Sequence, residues 1–244
     1  DDPFVNTAGD KPVAIDVFYA RLAQRMIHLF NTRTPSGILY EVDMRLRPNG
    51  NSGMLVSSMK AFESYQAERA WTWEHQALVR ARVVAGDPRV AARFEAIRRE
   101  ILAKRRDPTK LQADVVEMRE KMRSSLDKSK AGQFDLKQSR GGIVDIEFMV
   151  QYAVLCWACD CPELLGWTDN IRLLETLSRE GLLPGDDADR LMDAYRALRA
   201  AYHRNALQDQ SALIGAEQLL DEQRLVRRIW ERTFRQEEGG TTDP

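Results

Sequence analysis

One stretch of this chain alternates in steps of two, while nearly all the rest repeats in steps of three and four. From Ile38 to Arg47 the apolar residues Tyr40, Val42, Met44 and Leu46 alternate with Glu41, Asp43, Arg45 and Arg47. A period of two is that of a half-buried β-strand, here with one apolar face and one wholly charged face. Pro48-Asn49-Gly50-Asn51-Ser52-Gly53 is a dense turn signal, and Met54-Leu55-Val56 reads as a short returning strand. Two strands do not make a stable sheet alone, so this hairpin needs partner strands that the chain does not obviously supply. The expected class is therefore mainly α, α+β overall: a partial hairpin unit followed by a helical bundle.

The helices follow from apolar spacing. Ala14 to Phe30 carries Ile15, Phe18, Tyr19, Leu22, Met26 and Leu29, the period of one buried helical face. Lys60 to Gly86 reads as one or two helices. Asp87-Pro88 and Asp107-Pro108 each restart a helix at its first turn, and the second is striped by Leu111, Val115, Met118 and Met122. Gly141-Gly142 precedes a helix with Ile143, Ile146, Val150 and Val154. Two further helices follow, then a last one from about Glu217 to Arg235. Phe134 to Lys137 is the one other candidate strand. These elements give a helix-plus-hairpin domain over residues 1–58, a helical bundle over 59–236 and a disordered tail over 237–244. Asp1-Asp2-Pro3 reads as loop, and the chain reads as a piece of something longer.

Charge and composition narrow the partners. Lys and Arg number 36 against 37 Asp and Glu, which argues against a generally basic nucleic-acid glove. No apolar run approaches the ~18 residues a membrane helix needs. Three cysteines suit a reducing compartment, and Cys156, Cys159 and Cys161 lack a fourth soft ligand nearby. The expectation is a cytoplasmic protein with no nucleic-acid or membrane partner.

Three stretches could carry chemistry. On the Ile38–Arg47 strand, Glu41, Asp43, Arg45 and Arg47 share one face, which suits carboxylates on Mg²⁺ and arginines on phosphate oxygens. Asn49 and Gly50, in the adjacent turn, could bring backbone N–H groups to a phosphate. The plainer reading is a solvated edge face with internal ion pairs. Lys137, Arg140, Gly141 and Gly142, just before a helix start, form a second candidate anion or docking site; the alternative is an ordinary loop-to-helix junction. Trp71-Thr72-Trp73-Glu74-His75-Gln76 is dense in aromatic and ionisable groups, with His75 read as a partly buried hydrogen-bonding residue.

Gly37 to Val56, Trp71 to Arg82, and Gly141-Gly142-Ile143 with Asp145-Ile146-Glu147-Phe148 together resemble, in this order, the glutamine synthetase adenylyltransferase/adenylyl-removing enzyme family. The resemblance implies a partial nucleotidyltransferase unit from the C-terminal, adenylylating half, truncated on its N-terminal side. The deadenylylating half is the alternative, as is a non-catalytic helical module docking glutamine synthetase or PII. The activity implied is transfer of AMP from ATP to a tyrosine of glutamine synthetase with Mg²⁺. A PII signalling protein and glutamine would regulate it. Asp43 matches the third of three metal carboxylates, the other two belonging to an Asp-x-Asp strand not present here, so the piece alone is expected to be inactive.

Overall fold

In a computed structural model of the chain, residues 6–8 and 11–235 are described. The opening Asp1-Asp2-Pro3 and the 237–244 tail lie outside them. Backbone contacts divide the chain into two units, Asp1–Ala77 with Val83–Ile97, and Leu78–Arg82 with Arg98–Pro244. As expected, the fold is mainly helical, with nine α-helices among the described residues and one two-stranded sheet.

The first unit opens with α1 (Ile15–Asn31), close to the expected span. Its apolar stripe forms, but no residue of α1 is buried, and Phe18, Tyr19, Leu22, Met26 and Leu29 are all exposed. The expected buried face is thus corrected: the period sets which residues share a face, and burial additionally needs something packed over them. The expected strand over Ile38–Arg47 does not form either. Its backbone is held instead by the end of α1, Tyr40 N donating to Phe30 O at 3.2 Å and Val42 N to the Asn31 side chain at 3.1 Å. A ladder needs a neighbouring strand, and no named strand lies in this unit among the described residues. The turn signal is realised, with Asn49 in the left-handed region and a short 3₁₀ turn over Gly50–Ser52.

Helix α2 (Met59–Glu68) is capped by the Ser58 hydroxyl, which accepts from Ala61 N at 3.1 Å. Helix α3 (Thr72–Val79) starts with Glu74 reaching back to accept the Trp71 N–H at 2.9 Å, the backward half of a capping box. The same buried carboxylate accepts from the Tyr65 hydroxyl at 2.9 Å, fastening α2 to the start of α3. His75 Nε2 lies 3.0 Å from Gln66 O, the structural role expected of it. Helix α4 (Pro88–Leu102) begins at the expected Asp87-Pro88.

The second unit is built around α6 (Ile143–Trp157), twelve of whose fifteen residues are buried. A helix apolar on all sides can only be central, and α5 (Pro108–Leu126), α7 (Asn170–Arg179), α8 (Gly185–Leu207) and α9 (Leu220–Thr233) all pack on it. Asp107 caps α5, accepting Lys110 N at 2.8 Å, with Pro108 in the first turn as expected. The expected strand near Phe134 is β1 (Gln133–Asp135). It pairs antiparallel with β2 (Leu213–Gly215), Phe134 opposite Ile214. Among the described residues the two named strands therefore pair here, between segments far apart in sequence, rather than in a hairpin at residues 38–56.

Candidate functional site

In the first unit, Asp43 and Arg45 form a fork. The Arg45 side chain donates from Nε to Oδ1 at 3.0 Å and Oδ2 at 2.9 Å, and from Nη2 to Oδ2 at 2.6 Å. Arg45 N also donates to Asp43 Oδ1 at 2.9 Å, closing a side-chain turn that bends the backbone away from an extended ladder. These hydrogen bonds, with the adjacent positive charge, hold the Asp43 carboxyl down at about 2. Arg47 turns inward, donating to the carbonyls of Met44 and Gly53. Gly50 N donates to Arg47 O at 2.8 Å and Gly53 N to Gly50 O at 3.1 Å, so the turn around Asn49 and Gly50 is closed on itself. Glu41 and Asp43 are both exposed.

A Mg²⁺ site needs hard oxygens from several carboxylates or waters. Asp43 is such a donor, but it and Glu41 join no group of three ligating side chains among the described residues. The set is short of the three carboxylates that the resemblance implies, and it does not by itself fit the ion. Among the described residues the cluster with ligand spacing is Cys161 with Glu163 and Glu180, both glutamates exposed. Cys156 and Cys159 take no part in it, and all three cysteines are free thiols.

The second candidate site sits where the loop after β1 enters α6. Gly141 has φ +87° and passes so close to α9 that a Cβ there would lie 2.5 Å from Gln223 O. Its N–H donates to Asp145 Oδ2 at 2.7 Å, and Gly142 N, Ile143 N and Val144 N donate to the carbonyls of Ser139, Leu136 and Lys137. The N–H groups at this helix start are thus satisfied by the chain itself. Lys137 lies over the Tyr202 ring at 5.0 Å, and Arg140 Nη2 donates to Glu120 at 3.3 Å.

Beneath this junction lies the arrangement that the sequence reading missed. Arg119 of α5, fully buried, donates from Nε to Asp145 Oδ1 at 2.6 Å and from Nη2 to Gln138 O at 2.7 Å. Arg123, one turn on, donates to the same Oδ1 at 3.0 Å and to Glu120. Burial pushes the Arg119 guanidinium down from its ordinary range, against the pull of Asp145. A signal was present: Leu111, Val115 and Arg119 recur at steps of four, putting an arginine on the apolar stripe. The stripe buries Arg119 rather than Met118 or Met122, which are only half-buried. Together the loop and helices define an arginine-rich junction anchored on one buried carboxylate.

Comparison with known proteins matches the chain to models of two nucleotidyltransferase families, one over each part. Residues 3–97 match the family model described as glutamate-ammonia ligase adenylyltransferase. Residues 109–232 match that described as GlnD PII-uridylyltransferase. A bifunctional glutamine synthetase adenylyltransferase/adenylyl-removing enzyme of Hahella chejuensis is 54% identical over 235 residues, covering 94% of this chain and 24% of its own length. The protein of the same name from Nitrosococcus oceani is 56% identical over 222 residues, 91% of this chain and 23% of its own. That from Pseudomonas aeruginosa is 53% identical over 241 residues, 94% of this chain and 24% of its own. The chain belongs to the glutamine synthetase adenylyltransferase/adenylyl-removing enzyme family, and it spans about a quarter of the length of the curated relatives it matches.

Proposed function

We propose that this chain is the C-terminal part of a protein that transfers AMP from ATP to a tyrosine hydroxyl of glutamine synthetase. In this reading it belongs to the adenylylating half, works in the bacterial cytoplasm with Mg²⁺, and answers to glutamine and a PII signalling protein in nitrogen assimilation. The observation that carries the reading is the identity above 50% along more than nine-tenths of the chain to relatives whose name states the activity. Within the chain, Asp43 is proposed as one of three metal carboxylates of the longer protein. With its pKa near 2 it is an ionised, hard oxygen donor at any physiological pH. Arg45 and Arg47 are the nearby cations for phosphate oxygens, with Asn49 and Gly50 shaping the turn beside them.

The 244 residues alone are proposed to be inactive, because Asp43 lacks partner carboxylates among the described residues. Labelled ATP, Mg²⁺ and glutamine synthetase test this with the 244-residue chain beside a full-length relative. Labelling by the full-length protein alone is the expected result, and comparable rates from both would sink the metal assignment. Asn at the position matching Asp43 in the full-length protein separates the two halves. Loss of adenylylation with removal of AMP intact supports the adenylylating half, whereas the reverse moves the chain to the other half.

A further inference from the structure

Beside the buried Arg119–Asp145 pair, the helical unit has a cavity of about 420 Å³ that is open to solvent on one side. Four arginines line it: Arg123 from α5, Arg140 from the loop before α6, Arg227 from α9 and Arg235 just beyond α9. Facing them are Glu120, Glu231 and Asp145. Asp145 accepts from Arg119 behind it, from the Gly141 N–H and from Arg123, and Glu120 accepts from Arg123 and Arg140, so four lining guanidiniums face three carboxylates and the cavity keeps an excess of positive charge. Arg227 is held in place by its own bonds, donating from Nε to Arg140 O at 2.7 Å and from Nη2 to Gln223 at 3.2 Å. Arg123 keeps Nε buried with no hydrogen-bond acceptor. The apolar part of the wall is Trp230 with Phe234, their ring centroids 4.3 Å apart.

Guanidinium forks match the geometry of carboxylate and phosphate oxygens, and aromatic side chains take up the flat body of a ligand. The cavity falls within the ~300–1,000 Å³ range typical of small-molecule sites. We infer that it binds a small organic anion: a phosphate or carboxylate carried on a flat ring, of about the size of a nucleoside monophosphate. The anionic group meets Arg140, Arg227 and Arg123, and the ring lies against Trp230 and Phe234. The inference does not depend on the transfer reaction proposed above, since every residue in it belongs to the second unit.

The test is calorimetric titration of the 244-residue chain, without Mg²⁺, with four probes: AMP, adenosine, inorganic phosphate and benzoate. Saturable binding of AMP or benzoate is expected, with adenosine and phosphate at least tenfold weaker than AMP. AMP in preference to benzoate identifies the phosphate source of the charge, and the opposite order the carboxylate. Arg140→Ala and Arg227→Gln should each weaken the preferred probe at least tenfold, while Arg196→Gln, on the exposed face of α8 and outside the cavity, leaves it unchanged. Should Arg227→Gln lower the thermal midpoint, Arg140→Ala decides, because that side chain is two-thirds exposed. No saturable binding of either ring-bearing anion, binding indifferent to Arg140, or binding lost equally with Arg196→Gln would each overturn the assignment.

Discussion

Arg119 Nε and Asp145 Oδ1 lie 2.6 Å apart with both side chains sealed from solvent. One contact thereby joins α5, the loop through Gln138 and the first turn of α6, because Arg119 also holds Gln138 O and Asp145 also accepts the Gly141 N–H. The pair fixes the angle at which the chain enters its central helix.

Breaking such a pair from one side leaves an uncompensated charge in a medium that cannot solvate it. Asp145→Asn is expected to cost about 3–5 kcal/mol, read from urea unfolding. Adding Arg119→Met removes the stranded charge and should restore at least about 1 kcal/mol. A single variant that loses under ~1 kcal/mol would show that water reaches the site.

Gly141 is constrained twice, by its positive φ and by Gln223 O. Gly141→Ala should lose about 1–3 kcal/mol. Gly181 has φ +71° with open space where a Cβ would go, so Gly181→Ala should cost only about 1 kcal/mol. Equal losses at the two positions would mean that the approach of α9 contributes nothing.

The Asp43 carboxyl is lowered from 3.8 to about 2, first by the Arg45 side-chain hydrogen bond. A depressed carboxyl pKa stabilises the folded chain above pH 3.8, and that contribution fades as pH falls from 3.8 to 2. Because the pair is fully exposed, the readout is carboxyl NMR titration rather than stability. Arg45→Gln should return the midpoint toward 3.8, and an unmoved midpoint would leave the fork without effect.

Asp43→Asn in a full-length relative keeps the bulk of the side chain and removes its charge. If Asp43 is a metal carboxylate, adenylylation should fall about a thousandfold, as expected when a charge at a metal site is lost. The thermal midpoint should hardly move, since the side chain is exposed. An unchanged rate in a folded variant would remove Asp43 from the site.

Local chemistry determined where the helices begin and which residues share a face. Asp87-Pro88 and Asp107-Pro108 each mark a start that the structure keeps, because a capping carboxylate and a fixed proline φ act within one turn, and Gly141-Gly142 marks a third start that has no side-chain cap at Gly142. The four-residue step also put Arg119 on the buried stripe of α5, although nothing local named its partner. Three matters were left to the tertiary structure. The alternating segment at 38–47 stays unpaired, since a strand exists only against a neighbour. The stripe of α1 stays exposed, since a period sets a face and not its burial. Phe134 pairs with Ile214 and Arg119 with Asp145, across separations of 80 and 26 residues, and the arginine-lined cavity draws its wall from α5, the loop before α6 and α9. Such contacts form only when distant segments pack together, so the residues of the cavity carry no common signal in the sequence.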